Sequence, residues 1–178
     1  LERIAMVLQE VDSVYETDLL STIIEEIVSL SGRPYSLGKE GVPHRVIADH
    51  IRSLCFAITD GAIPSNEGQG YVVRRILRRA SRYGRLLELR EPFLYKLVDV
   101  VEKQLGPQFP ELAETKEQTR ERIHAEEERF GRTMENGLIR FEEIRQELEK
   151  SGGDTVSGRD IFLLHDTFGF PPDLVARM

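Results

Sequence analysis

The stretch DGAIPSNEGQGYVVRRILRRASRYGR, residues 60–85, decides how the rest of the chain is read. Its first half is turn chemistry, with Pro64, Ser65, Asn66, Gly68 and Gly70 punctuating the backbone. Its second half predicts a helix with two unlike faces. At about 100° per residue, Val72, Val73, Ile76, Leu77, Ala80 and Tyr83 fall on one side. Arg74, Arg75, Arg78, Arg79, Arg82 and Arg85 fall on the other. Every positive charge on that face is arginine, whose planar fork grips phosphate oxygens in pairs. A basic face of this density, set just behind a polar turn, suits a nucleic-acid backbone. The plainer reading is a solvated amphipathic helix whose arginines pair with acidic neighbours. The chain carries a net charge of −7, so such neighbours are plentiful, yet the stripe is then not a product of bulk composition.

Around this stretch lie 178 residues, enough for one packed domain or two small ones. Hydrophobic content of 40% with 31% charge suits a helical globular protein with charged surfaces. The single cysteine, Cys55, excludes an internal disulfide and a cysteine-built zinc site. It sits in the apolar run LCFAI and is expected to be a buried core thiol in a reducing, cytoplasmic setting. No apolar run is long enough to span a membrane, and no charged-then-apolar leader opens the chain. The chain begins at Leu1 rather than Met and reads as a piece of something longer.

Taken in order, Ile4, Val7 and Leu8 predict a first helix, broken at Asp12-Ser13. Thr17-Asp18 is placed to cap a second, with Leu19, Leu20, Ile23, Ile24, Ile27 and Leu30 on its buried side and Gly32 and Pro34 at its end. A polar connection through Gly38, Gly41 and Pro43 leads to a third helix over about Arg45 to Asp60. After the central turn and the Arg-rich helix, residues Leu94 to Gln104 form another amphipathic helix, ended by Gly106-Pro107. Glu111 to Lys150 is long and charged. Its sparse apolar residues, Leu112, Ile123, Phe130, Met134, Leu138, Phe141, Ile144 and Leu148, recur at spacings of three, four and seven. That pattern predicts a long helix with a narrow buried seam and its carboxylates mostly solvated. Ser157 is placed to cap a short helix with Ile161, Phe162 and Leu164, and DTFGFPPDL then bends the chain. No strand pattern appears. The expectation is an all-α fold: an irregular helical domain with one long charged helix.

The residues show no nucleophile elbow, phosphate-binding glycine loop or zinc pattern. His44, His50, His124 and His165 are scattered, and structural roles suit them best. By its residues the chain looks like a binding module. Asn66, in the turn before the basic helix, and Asp166, beside an aromatic-and-glycine bend, stand out by placement. Each also has an ordinary reading, as a turn asparagine and a capping aspartate.

The segment ADHIRSLCFAITDGAIPSNEGQGYVVRRILRRASRYGR resembles the signature of alanyl-tRNA synthetases. LERIAMVLQEVDSVYETDLL resembles the end of class II motif 3 and the helix after it. HAEEERFGRTMENG resembles the family's long charged helix, and LLHDTFGFPPDL the segment before its editing region. The chain departs from the family at Gln69, where Arg is frequent, and at Phe168, where Tyr is usual.

The resemblance implies a fragment of an alanine–tRNA ligase. The parent would use ATP and Mg²⁺ to join alanine to its tRNA, and would carry zinc in an editing domain outside this chain. Residues 1–12 would be the remnant of the aminoacylation domain, with Arg3 as the motif 3 arginine that contacts ATP. Residues 13–150 would be the helical tRNA-recognition domain, and 151–178 its continuation toward the editing region. The fragment would hold no catalytic residue and no metal, and would be inactive alone. Its partner would be the acceptor stem of the alanine tRNA, recognised by a G·U wobble pair. Asn66 and Asp166 would read the bases; Arg74, Arg75, Arg78, Arg79 and Arg82 would hold the backbone. The guanine 2-amino group of a wobble pair lies unpaired in the open minor groove of A-form RNA, where an acceptor such as Asp can take it. Arginine contacts to phosphate set register without reading sequence. The competing readings are a helical DNA-binding protein and a protein-interaction module.

Overall fold

In the computed structural model the described residues are 2–153 and 155–168, the side chains of Ser151, His165, Asp166 and Phe168 excepted. The expected bend over residues 169–178 lies outside them. Among the described residues all regular structure is helical, as the pattern predicts. The chain divides into two compact units, Leu1–Glu128 and Arg129–Met178.

The first unit begins with α1 (Glu2–Leu8), a short helix whose Ile4, Val7 and Leu8 are exposed. In α2 (Asp18–Ser31) the buried residues are Leu20, Ile23, Ile24 and Ile27, while Leu19 and Leu30 are half-buried. Its start differs in detail from expectation. Thr17 occupies the N-cap, but its hydroxyl donates back to Val14 O at 2.6 Å and caps nothing. Gln9 does the capping, its Oε1 accepting Asp18 N at 3.0 Å and its Nε2 donating to Asp18 Oδ1 at 2.7 Å. A helix N-terminus leaves backbone donors without partners, and any well-placed acceptor can serve them.

The polar connection after Gly32 is held by Arg45. Its guanidinium donates to the carbonyls of Ser36, Leu37 and Gly38 at 2.9–3.1 Å and lies over the rings of Tyr15 and Tyr35. The helix α3 (Val42–Thr59) starts three residues earlier than expected because Pro43 fits the first turn of a helix. It is the central element, burying Ile47, Ala48, Ile51, Leu54, Cys55 and Ile58. Burial pushes the Cys55 thiol up to about 12, so it is an inert core group. His44 is also buried, with Nε2 3.1 Å from Arg33 O, and desolvation lowers its pKa.

Onto α3 pack α4 (Gly68–Leu86), α5 (Leu94–Leu105) and the single turn α6 (Glu111–Glu114). Leu77, Ala80, Phe93, Leu94, Leu97, Val101 and Leu112 complete one core with α2 and α3. The predicted long helix is interrupted near its start. Thr115 separates α6 from α7 (Lys116–Ser151), its hydroxyl bonded to that of Thr59 at 2.8 Å.

In the second unit Phe130, Met134, Phe141 and Ile144 of α7 bury a small core with Leu164 of α8 (Gly158–Phe168). Leu138, expected in this seam, is 41% exposed, and Gly137 takes the buried position instead. Ser157 caps α8 as predicted, accepting Asp160 N at 3.1 Å. No helix among the described residues is long and apolar enough to cross a membrane.

Candidate nucleic-acid interface

The helix α4 carries the candidate surface, and its burial pattern sets which residues can face a ligand. Gly70, Val73, Leu77, Ala80 and Gly84 form its buried stripe. Val72, expected on that stripe, is instead 54% exposed, and Tyr71 is exposed beside it. On a helical wheel the stripe centres between residues 73 and 77, which places Val72 about 120° away, off its flank.

The arginines accordingly divide into two sets. Arg74 and Arg78 face Glu126, a carboxylate on α7 that is 3% exposed. Arg78 donates to Glu126 Oε1 from Nε at 3.0 Å, and its Nη2 lies at 3.0 Å from the same oxygen. Arg74 Nε lies 3.1 Å from Oε1 but is not aligned as a hydrogen bond, so that contact is coulombic. The other set points outward. Arg75 is exposed, with its guanidinium 5.6 Å from the Tyr71 ring centroid. Arg79 is exposed and helps hold the Asp49 carboxyl below its ordinary range, an effect led by the hydrogen bond from His50. Arg82 is half-buried, over the ring of Tyr83 at 5.8 Å.

The turn before α4 is clamped onto the helix. Ser65 N donates to Gly70 O at 3.0 Å, and Ser65 Oγ donates to Glu67 O at 2.9 Å. Gly70 makes the approach possible, since a Cβ there would lie 2.2 Å from Ile63 O and from Ser65 Oγ. Asn66, next along, is exposed, and Arg74 Nη1 donates to its Oδ1. The structure therefore brings Asn66, Arg74 and Arg78 into one network around Glu126.

Arg3 is exposed on α1. Asp166 lies within the span of α8, but its side chain is outside the described residues.

The composition of α7 hid one participant. Its carboxylates were expected to be mostly solvated, yet Glu126 and Glu127 are each 3% exposed. Glu127 accepts the backbone N–H of Phe93 at 3.2 Å and of Tyr95 at 3.3 Å, at the start of α5. The signal was present in the spacing: these two glutamates lie three and four residues from both Ile123 and Phe130, on the seam itself. Among the described residues no three His, Cys, Asp or Glu side chains gather as metal ligands would.

The family model for tRNA synthetases class II (A) matches residues 1–178. Proteins named alanine–tRNA ligase are similar over the whole chain. That of Streptococcus thermophilus is 48% identical, that of Streptococcus mutans 46% and that of Streptococcus sanguinis 48%. The chain spans 20% of the length of each. With its full length matched by the family and by these relatives, the chain belongs to the class II tRNA synthetases (A).

Proposed function

We propose that this chain is the acceptor-stem recognition region of an alanine–tRNA ligase. The observation that carries the reading is the outward face of α4. Exposed Arg75 and Arg79 stand beside the exposed ring of Tyr71, and Asn66 sits at the helix's N-terminal end. Guanidinium groups give a phosphate backbone its electrostatic hold, and an amide beside them reads a base edge in the shallow minor groove. Arg82 extends the same face, while Arg74 and Arg78 act from within the Glu126 network. The second base reader in this proposal is Asp166, which would accept the 2-amino group of the guanine in the G·U pair.

Residues 1–12 are proposed as the remnant of an aminoacylation domain, 13–150 as the recognition domain and 151–178 as its continuation. Arg3 would contact ATP phosphates in the longer protein, whose alanine and Mg²⁺-dependent chemistry lies beyond this chain. The groove beside α1 does not suit ATP: it is lined by apolar Ile4, Leu8, Leu19 and Phe56, it carries Glu2 and Asp18, and its one cation, Arg52, is paired to Glu2. Zinc likewise has no converging ligand set among the described residues. No catalytic step is therefore assigned to the chain. A cytoplasmic setting accords with its unpaired, buried cysteine.

The test is a titration with three probes: an acceptor-stem RNA hairpin carrying G·U, its G·C counterpart, and duplex DNA. Tighter binding to the G·U hairpin is the expected result. DNA preference would support a DNA-binding helix instead, and absence of nucleic-acid binding would support a protein-interaction module.

A further inference from the structure

An exposed asparagine on a turn samples many orientations unless a neighbour holds it. Asn66 is held. Arg74 Nη1 donates to its Oδ1. A guanidinium has donors only, so the atom that meets Arg74 must be the amide oxygen, and the amide NH₂ is turned away from it. Among the described residues that NH₂ has no intramolecular partner. Arg74 is in turn fixed from behind. Its side chain is 12% exposed, and Glu126 holds it with Arg78 from a site that is 3% exposed. A carboxylate at that depth is retained by guanidinium partners, Arg74 and Arg78 among them, because a buried charge without partners is strongly unfavourable. An exposed amide is thus tied, through one guanidinium, to a buried anion on a different helix.

We propose that Glu126 is a positioning residue for RNA recognition. Through Arg74 it holds the Asn66 carbonyl inward and presents the amide NH₂ as a donor to the minor groove. The inference rests on the acceptor-stem reading and sharpens it. Asparagine in general offers both a donor and an acceptor, but here the acceptor is occupied by Arg74. The group left to read the base step is a donor, matched to the pyrimidine O2, whose position a wobble pair shifts relative to G·C. Arg78, a further guanidinium on Glu126, helps neutralise the anion while Arg74 donates to Asn66.

The experiment measures the affinity ratio of the G·U hairpin to the G·C hairpin, in the full chain and in variants. Asn66→Asp keeps an oxygen for Arg74 and loses the donor, so it is expected to lower the ratio as far as Asn66→Ala does. Glu126→Gln is expected to lower the ratio about tenfold, the scale of one hydrogen bond to a charged group. In an Asn66→Ala background Glu126→Gln should leave the ratio unchanged, since both act through one contact. A role in stability alone would shift the melting temperature and spare the ratio. Arg74→Lys, which keeps a positive charge beside Glu126 but cannot bridge to Asn66 with a planar fork, carries the same expectation should Glu126→Gln fail to fold. The proposal is overturned by an undiminished ratio in Glu126→Gln, Arg74→Lys or Asn66→Asp, or by additive losses in the double variant. Equal affinity of the unaltered chain for both hairpins would instead overturn the acceptor-stem reading itself.

Discussion

Glu127 accepts two backbone N–H groups at the start of α5 from a position 3% exposed to solvent. Burial raises its pKa from 4.5 to about 7, and these backbone hydrogen bonds offset only part of that shift. The folded chain therefore holds this proton more tightly than the unfolded chain does. Stability from this group is fully present below about pH 4.5 and is lost as pH rises toward 7, by roughly 2–4 kcal/mol. Glu127→Gln, which does not titrate, should flatten that part of the pH profile. Chemical denaturation of both chains at pH 4.5 and pH 7.5 checks it; an identical pH dependence in the two would show that Glu127 is not the group responsible. Cys55 makes a second prediction at this scale. A buried thiol with a pKa of about 12 has almost no thiolate at neutral pH, so alkylation should require unfolding. Fast labelling of the native chain would contradict its placement.

Helix α4 is seated by two glycines, and each tests a different part of the element. A Cβ at Gly84 would lie 2.2 Å from the buried Phe93 ring. Gly84→Ala should cost about 1–3 kcal/mol by overpacking, outweighing the roughly 1 kcal/mol that alanine gains in helix propensity. Its effect on RNA discrimination should be small, because Gly84 lies at the far end of α4 from Asn66. Gly70→Ala should displace the clamped turn, since the added carbon meets Ile63 O, a backbone atom. Thermal melts and hairpin titrations on both variants separate the cases: Gly70→Ala should lose stability and G·U preference together, Gly84→Ala stability alone.

Much of this was legible beforehand at the level of elements. The 3.6-residue period located every long helix, because each buries one apolar stripe. What escaped were features settled by tertiary neighbours. Gln9 displaced Thr17 as the cap of α2, an exchange that depends on where α1 ends. Gly137 rather than Leu138 filled the α7 seam, because a register rule placed the buried position and hydrophobicity did not. Glu126 and Glu127 were masked by composition: in a helix crowded with charge, two carboxylates on the apolar seam look like their solvated neighbours. The turn, the basic stripe and the place of Asn66 between them could be read directly. The partition of the arginines between Glu126 and the outer surface could not, since it depends on a helix more than forty residues away.

The whole molecule carries net charge −7 and still presents a cationic face, so the proposed attraction to RNA would be local. With Arg75 and Arg79 as the outward charges, log affinity should fall with log salt at a slope of about −1 to −2, on the order of 0.7 to 0.9 per phosphate contact. A chain spanning 20% of its relatives should form no alanyl-adenylate by itself. Pyrophosphate exchange above background would contradict that.

The central claim is a division of labour on one helix and its leading turn: Asn66 discriminates and the outward arginines attract. It is tested most directly by the G·U to G·C affinity ratio measured side by side for Asn66→Ala and Arg75→Ala. The account predicts that Asn66→Ala loses about 1–3 kcal/mol of discrimination, while Arg75→Ala weakens both hairpins alike and leaves their ratio intact. An intact ratio in Asn66→Ala, or a ratio lost equally in both variants, would contradict it.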